Sequence, residues 1–396
     1  KGIDINMFRR TLNGIFDYRI EHRFFDEIHF SASRTYYKHT EKEKSGLIGA
    51  EFASETYDFE SSIKNNNFTL FSGGETGISL SRRKLDIGGY VFTPNSVSLS
   101  FSAFTYQTIN RDNFEIQASL RFNQSVITPE NEFTAKIGNV RKRKFNNLSF
   151  SLSSIFKLSE KLHIGGNVNR SSRVPSIEEL FSEGPHLAAY SYETGNPDLE
   201  SEKGYGAELF FNYKSNLISS NITFFINDYS YFITPRNSGK INWGTLLPIY
   251  STEGINAILT GIEQQLDIKL CNELLLNQSL SYTFGKVKNG GDFLPMIPPL
   301  KLLIGIEYKN KNFSAGVNSE STSKQSKVDK FEEKTPGYLI FNCFAQFTAL
   351  SGEVGHNISL NIDNIFDVSY RNHLSRIKTI LPEPGINIRL TYKLFY

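Results

Sequence analysis

Five side chains in this sequence carry the donors of a metal site: His186, His39, Glu41, Glu43 and His373. Zinc takes imidazole nitrogen and carboxylate oxygen at about 2.0–2.2 Å, commonly four at a time. Each has a plainer reading. The run Lys38-His39-Thr40-Glu41-Lys42-Glu43-Lys44 also suits a solvated charge run, and His186, just after Gly184-Pro185, also suits a structural loop histidine. For His373, within Arg371-Asn372-His373-Leu374-Ser375, the structural reading is favoured. Ser176-Ile177-Glu178-Glu179 reads as a capping box opening a short helix that Gly184-Pro185 ends, which would preorganise His186 at the helix exit. Other chemistries find no footing. No GxSxG, P-loop, GxGxxG or HExxH motif occurs, so nucleophilic, phosphate-cradling and zincin mechanisms are not expected, and no enzyme is. The two cysteines, Cys271 and Cys343, form no CxxC pair and no disulfide framework.

The remaining residues must build the scaffold. The 396 residues carry 43 Lys and Arg against 41 Asp and Glu, a formal charge of +2. Near-neutrality, without an RRM or OB signature, argues against nucleic acid as a partner. Hydrophobic residues reach only 39 %, with mean hydropathy −0.33, yet 13 % of the chain is aromatic. A chain polar on average and rich in large rings excludes both disorder and a helical membrane bundle. No stretch approaches the roughly 18 consecutive apolar residues of a membrane helix. The start, Lys1-Gly2-Ile3-Asp4-Ile5-Asn6, lacks the basic head and apolar run of a signal peptide, so the sequence reads as a processed or excised piece of something longer.

Period two dominates. Val97, Leu99, Phe101 and Ala103 alternate with Ser98, Ser100 and Ser102; Leu148, Phe150 and Leu152 alternate with serines; Ile386, Ile388, Leu390, Tyr392 and Leu394 face away from Asn387, Arg389, Thr391 and Lys393. Successive strand side chains point to opposite faces, so each segment has one oily and one wet face. Strands are expected near 15–24, 28–38, 47–61, 67–86, 97–109, 113–123, 145–157, 161–171, 204–214, 217–232, 258–270, 273–285, 300–309, 312–320, 338–348, 355–364 and 385–395. Tight connections such as Lys64-Asn65-Asn66 and Asn310-Lys311 take turns with long ones over 87–96, 124–144, 172–203, 233–257, 286–299, 321–337 and 365–384. Tight turns at one end and long loops at the other mark an up-and-down meander. Strands of about 10 residues suit a tilted crossing of a bilayer, where only a closed barrel leaves no backbone group unpaired. A soluble sandwich would use its wet faces less uniformly. Aromatics crowd strand ends (Phe24, Phe25, Tyr36, Tyr37, Phe395, Tyr396), as interfacial girdles do.

Residues 173–181 read R-x-P-S-x-x-E-L-F (Arg173, Pro175, Ser176, Glu179, Leu180, Phe181), and 193–202 read E-x-G-N-P-x-L-x-x-E (Glu193, Gly195, Asn196, Pro197, Leu199, Glu202). Together they resemble the signature of TonB-dependent outer-membrane receptors. Asn364-Ile365-Phe366-Asp367 is similar to that family's N-[IL]-F-[DN] motif, and the chain ends in an alternating strand on Tyr396, where such barrels usually end in Phe. Within the family, Glu183-Gly184-Pro185-His186-Leu187-Ala188 and the His39-Thr40-Glu41-x-Glu43 run resemble the zinc-uptake subgroup. Lys42, Lys44, Ser45 and Gly46 replace that subgroup's glycine and acidic continuation.

The resemblance implies an all-β, transmembrane antiparallel up-and-down β-barrel, with about 17 strands present of a barrel of about 22. Residues 1–396 would be one partial barrel, the N-terminal plug and first strands absent. It implies an outer-membrane receptor of a Gram-negative bacterium that imports a scarce nutrient actively, zinc or a related metal ion. A siderophore or haem receptor of the same family is the alternative, as is a passive porin or adhesin barrel. No cofactor is required, and zinc enters only as transported ligand, with His186 and Glu41 as ligands and a plug carboxylate completing the site. Implied partners are the TonB-ExbB-ExbD energy-coupling complex through the plug, the metal or metal-chelate ligand, and lipopolysaccharide with outer-membrane lipid. Arg141-Lys142-Arg143-Lys144 could face lipopolysaccharide phosphates, although a solvated basic loop is the plainer reading. Counting strands back from a periplasmic C-terminus puts 39–46, 172–203 and 365–384 on the outer side and makes 1–14 the tail of an external loop.

Overall fold

The computed structural model describes residues 3–20, 22–43, 46, 48–67, 70–89 and 93–396. In chain order the strands are β1 (Ile3–Arg19), β2 (Phe25–Glu43), β3 (Ile48–Asn65), β4 (Gly73–Gly89), β5 (Ser96–Asn110), β6 (Phe114–Pro129), β7 (Phe133–Ala135), β8 (Gly138–Val140), β9 (Arg143–Lys157) and β10 (Leu162–Arg173). The helix α1 (Ile177–Phe181) follows, then β11 (Glu183–His186), a 3₁₀ turn (Leu187–Ala189), β12 (Ser191–Thr194), β13 (Glu202–Lys214), β14 (Ile218–Asn242) and β15 (Leu247–Lys269). The chain closes with β16 (Leu274–Val287), β17 (Lys301–Lys309), β18 (Phe313–Thr322), β19 (Tyr338–Ser351), β20 (Val354–Asp363) and β21 (Asn387–Phe395). Strand makes up 71 % of the described residues and helix 2 %, so almost every backbone partner is sought on a neighbouring strand. A 19-stranded sheet takes in all but the small β7–β8 hairpin. Four strands, β7, β8, β11 and β12, are three or four residues long and lie within loops. The others match, one for one, the 17 strands expected from the alternation.

The chain divides into two compact units: Lys1–Ser154, Asn167–Gly206 and Asp228–Ala257 in one, Ile155–Gly166, Ala207–Asn227 and Ile258–Tyr396 in the other. In the first, β1 to β6 form an antiparallel meander in sequence order, β1 paired with β2 from Ile3↔Glu43 to Arg19↔Glu27. Its wet face is knitted by side chains across strands. Ser81 and Ser33 donate to Asp58 at 2.7 and 3.4 Å, Ser100 meets Ser125 at 2.8 Å, and Asn123 donates to Ser102 at 2.9 Å. The opposite face pairs Phe59 with Leu80 and Leu80 with Phe101, and it faces outward: Leu99 is 51 % exposed and Leu120 47 %. The second unit repeats the arrangement over β16 to β21, in sequence order. There Asn342 donates to Asn318 at 2.9 Å, while the other face sets Leu276 against Ile306 and Leu360 against Leu390. Apolar side chains left in the open on long paired strands are the inverse of a soluble sandwich, in which they would be the core. The buried apolar cluster of the first unit gathers instead around the loop 174–201, with Leu180, Phe181 and Leu199 among its members.

Three expectations are corrected. Residues 3–14 are not the tail of a loop but the outer part of β1, held by β2; the Arg9-Arg10 and Asn13-Gly14 pairs break the alternation there, and cross-strand pairing overrides it. The segment 39–46 is strand as far as Glu43, because β3 pairs with β2 up to Lys42↔Ile48. The expected loop 233–257 is mostly a long hairpin, strand to Asn242 and again from Leu247. If the outward apolar face is a lipid face, Ile306→Arg, at a position 49 % exposed, should cost about 2–4 kcal/mol. Urea titration of the protein folded in phospholipid vesicles measures this, and a loss under half a kcal/mol would contradict a lipid face at that position.

Candidate functional site

The two signature segments meet in the first unit to make a rigid support. Ser176 caps α1 by accepting from the Glu179 N–H at 3.1 Å, and the Glu179 carboxylate accepts from the Ser176 N–H at 2.8 Å, a complete capping box. Arg173 reaches Glu179 at 2.8 Å and Glu202 at 3.3 Å, clamping the start of the loop to its end. Leu180, Phe181 and Leu199 are buried with Leu85, Ile87, Ile127 and Val140. Gly195 passes so close to α1 that an added Cβ would stand 2.7 Å from the Leu180 carbonyl carbon, so only glycine fits without displacement. The Gly195 N–H donates to the Ser182 carbonyl at 2.7 Å and the Asn196 N–H to that of Glu179 at 2.9 Å. The signature thus describes a scaffold.

On this scaffold β11 and β12 form a small hairpin, and β12 runs parallel to β15 with Glu193 opposite Tyr250. The hairpin brings His186 to Glu193, Nδ1 to Oε1 at 3.1 Å, and Ser191 donates to the same oxygen at 3.1 Å. The helix ends at Phe181, before Gly184-Pro185, so His186 lies on a strand and not at a helix exit. Its side chain is 47 % exposed. Large apolar side chains stand open in the same unit. Leu187 is 70 % exposed, and Tyr190, held at φ 51°, is 47 % exposed. At the β14–β15 turn the Asn242 side chain accepts from the Gly244 and Thr245 N–H groups and holds out Trp243, 83 % exposed, beside Leu246 at φ 57°. Left-handed backbone in non-glycine residues stores strain and is concentrated at functional sites.

The other sequence-derived ligands are placed as follows. His39 Nε2 lies 3.9 Å from Glu41 Oε1, its ring stacked on Phe52 at 4.6 Å and its Nδ1 buried without a partner. The side chain of Glu43 lies outside the described residues. Among the described residues no three His, Cys, Asp or Glu side chains converge as a metal group. Within the first unit the structure pairs His186 with Glu193 and sets His39 beside Glu41. The two arginines of the basic run are engaged internally: Arg141 pairs with Asp198 at 2.7 Å and holds that carboxyl below its usual value, while Arg143 donates to the Leu199 carbonyl at 2.8 Å.

His373, in the second unit, is 2 % exposed and built into a polar clamp. Its Nδ1 meets Thr335 Oγ1 at 2.9 Å and its Nε2 meets Glu332 at 3.2 Å. Lys378 donates to Glu332 at 2.6 Å and to the His373 carbonyl at 2.9 Å, and the Met296 N–H reaches Glu332 at 3.1 Å. One carboxylate therefore joins three loops, and nothing in residue spacing singled out Glu332 or Lys378. Glu193 stood in the signature without being marked as a partner of His186. Burial would raise the Glu332 carboxyl, but hydrogen bonds from His373 and Lys378 and the attraction of both outweigh it, bringing it down from 4.5 to about 2. A depressed folded value means the stabilisation is full above the unfolded value of 4.5 and is lost as pH falls through about 2. A shift of that size is on the order of 3 kcal/mol. Amide protection factors of loops 323–337 and 364–386, with the intrinsic pH dependence of exchange divided out, should therefore fall between about pH 4.5 and 2, and in Glu332→Gln they should be low and nearly independent of pH over the same window.

Comparison with known proteins completes the picture. The family described as TonB dependent receptor-like, beta-barrel, matches residues 4–365. A ferric enterobactin receptor of Pseudomonas aeruginosa is 25 % identical in an alignment 250 positions long that covers 56 % of this chain and 33 % of that receptor. Among solved structures, a copper transporter, OprC, superposes with a TM-score of 0.84 at 17 % identity, over 100 % of this chain and 66 % of its own. The FrpB iron transporter of Neisseria meningitidis gives 0.75 at 13 % identity, over 98 % of this chain and 64 % of its own. This chain thus spans about a third of the curated relative and just under two thirds of these solved neighbours, whose likeness at such identity speaks for the fold. With the family matched along most of its length, the chain belongs to the TonB-dependent receptor-like β-barrel family, whose members are outer-membrane proteins of Gram-negative bacteria.

Proposed function

We propose that these residues form the barrel of a TonB-dependent receptor that imports a scarce metal, with a bare ion such as zinc as its cargo. The observation that carries this reading is the His186–Glu193 pair, an imidazole and a carboxylate brought together on a strand that the signature scaffold holds rigid. Such a nitrogen and oxygen donor set suits a borderline divalent ion. The pair offers two donors, and a carboxylate from the plug domain that the family carries would complete the site. Capture would take place in the loops, and the TonB-ExbB-ExbD complex would drive release inward by acting on the plug. The named relatives fit a metal cargo in general, one being a copper transporter, one an iron transporter and one a ferric enterobactin receptor.

A second reading has its own support. The exposed Leu187, Tyr190 and Trp243 offer apolar and aromatic surface that a metal ion does not need and an organic chelate does. Isothermal titration of the full-length protein separates the two. With a bare-ion cargo, zinc affinity falls at least about tenfold in His186→Ala and in Glu193→Ala. Unchanged zinc affinity in both variants, and in Glu41→Ala, would remove the bare-ion reading. Binding of a ferric catecholate that Tyr190→Ala and Trp243→Ala weaken would put the chelate in its place.

A further inference from the structure

Two amides interrupt the outward apolar face of the second unit. Gln278 Nε2 donates to Gln264 Oε1 at 2.8 Å, across β15 and β16. In β16, Gln278 stands opposite Ile304 on the face that sets Leu276 against Ile306 and Leu280 against Leu302. Ile304 and Ile306 are exposed there, while Asn277 and Ser279 belong to the wet side. In β15 the same alternation gives Gln264 the side of Ile262, Leu266 and Ile268. The pair therefore has Ile262 and Leu280 on its loop side and Leu266 and Leu276 on its tight-turn side. It lies within the oily band and not at its rim. A similar contact in the first unit, Gln124 to Asn146 at 2.8 Å, stands close to Arg143 and Lys144 at the loop end of β9, where water can serve it.

Two glutamine side chains carry four N–H donors and two carbonyl acceptors. Their contact uses one of each, and neither amide meets another partner among the described residues. Acyl chains offer no donor or acceptor, and a water held at that depth would itself stand in hydrocarbon, so the remaining groups are costly to leave as they are. We propose that this face is the contact surface for a second copy of the chain in the plane of the membrane, the two amide pairs closing on each other. A two-fold axis along the membrane normal brings the same residues to the same depth, and an amide, donor and acceptor at once, is its own complement. The free N–H groups of one pair then meet the carbonyls of the other, with Leu266 and Ile304 packed around them. An unrelated membrane protein would need its own amide or hydroxyl at that level; a second copy has one by construction. The inference rests on the outward face being a lipid face and is independent of the cargo.

Sedimentation equilibrium of the full-length protein in density-matched micelles tests it. The protein should populate a dimer, and Gln264→Leu with Gln278→Leu should raise its dissociation constant at least about tenfold. That double variant makes the wall more apolar and should fold, which heat-modifiable migration in gels checks. Gln124→Leu, at the rim, should leave the dimer as tight as before. In vesicles, with Cys271 and Cys343 replaced by serine, an apolar bis-maleimide should join copies through Ile304→Cys and not through Leu360→Cys. A monomer at every concentration, a dimer equally tight in the double variant, or cross-linking through Leu360→Cys alone would each overturn the proposal. Zinc titration of the double variant should be unaltered, which keeps this outcome separate from that of the cargo reading.

Discussion

A peptide group in hydrocarbon has no solvent to fall back on, and every other feature of this protein follows from that. Leaving one N–H or C=O unpaired there costs several kcal/mol, so the wall must be continuous antiparallel ladder wherever lipid touches it. The ladders of β1 to β6 and of β16 to β21 are of this kind, neighbour on neighbour in sequence order. Such a wall has no interior of its own. Its apolar side faces lipid, and its polar side consumes its hydrogen bonds in ladders such as Ser100–Ser125 and Asn318–Asn342. Specific chemistry is left to the loops, which must then find their own means of holding shape.

The two loop systems do this by opposite means. In the first unit an apolar cluster around Leu180, Phe181 and Leu199 does most of the work, with Arg173 tying the ends together through Glu179 and Glu202. In the second unit the joint is ionic, Glu332 between Lys378 and His373, all nearly buried. Buried charges are costly unless fully partnered, and a partnered set tolerates few alternatives. The apolar cluster can absorb small changes by repacking; the ionic joint loses its balance if any one member is removed.

What the sequence disclosed divides along the same line. Alternation of serine with leucine made the wall legible strand by strand, because a period of two has one meaning when sustained over about ten residues. It failed where charge or glycine interrupted the rhythm, as at Arg9-Arg10 in β1, and where a hairpin outlasted its oily stretch, as from Ile233 to Asn242. In those places pairing with the next strand decides the conformation, and pairing is not written locally. The candidate site was legible by half. Imidazoles and carboxylates could be named, and the capping box at Ser176 is present. Which carboxylate meets which imidazole depends on loop closure: Glu193 is only seven residues from His186, yet it is brought there by a hairpin, and Glu332 reaches His373 from 41 positions away. Long-range contacts of that kind leave no periodic trace.

Trp243 is the only tryptophan in the chain, and it is borne on a turn braced by Asn242. Indole emission from these residues therefore comes from a single solvated spot beyond the end of the sheet, without background from the wall. Whatever comes to rest against that turn will write its arrival into the colour of the fluorescence, and no dye need be attached to see it.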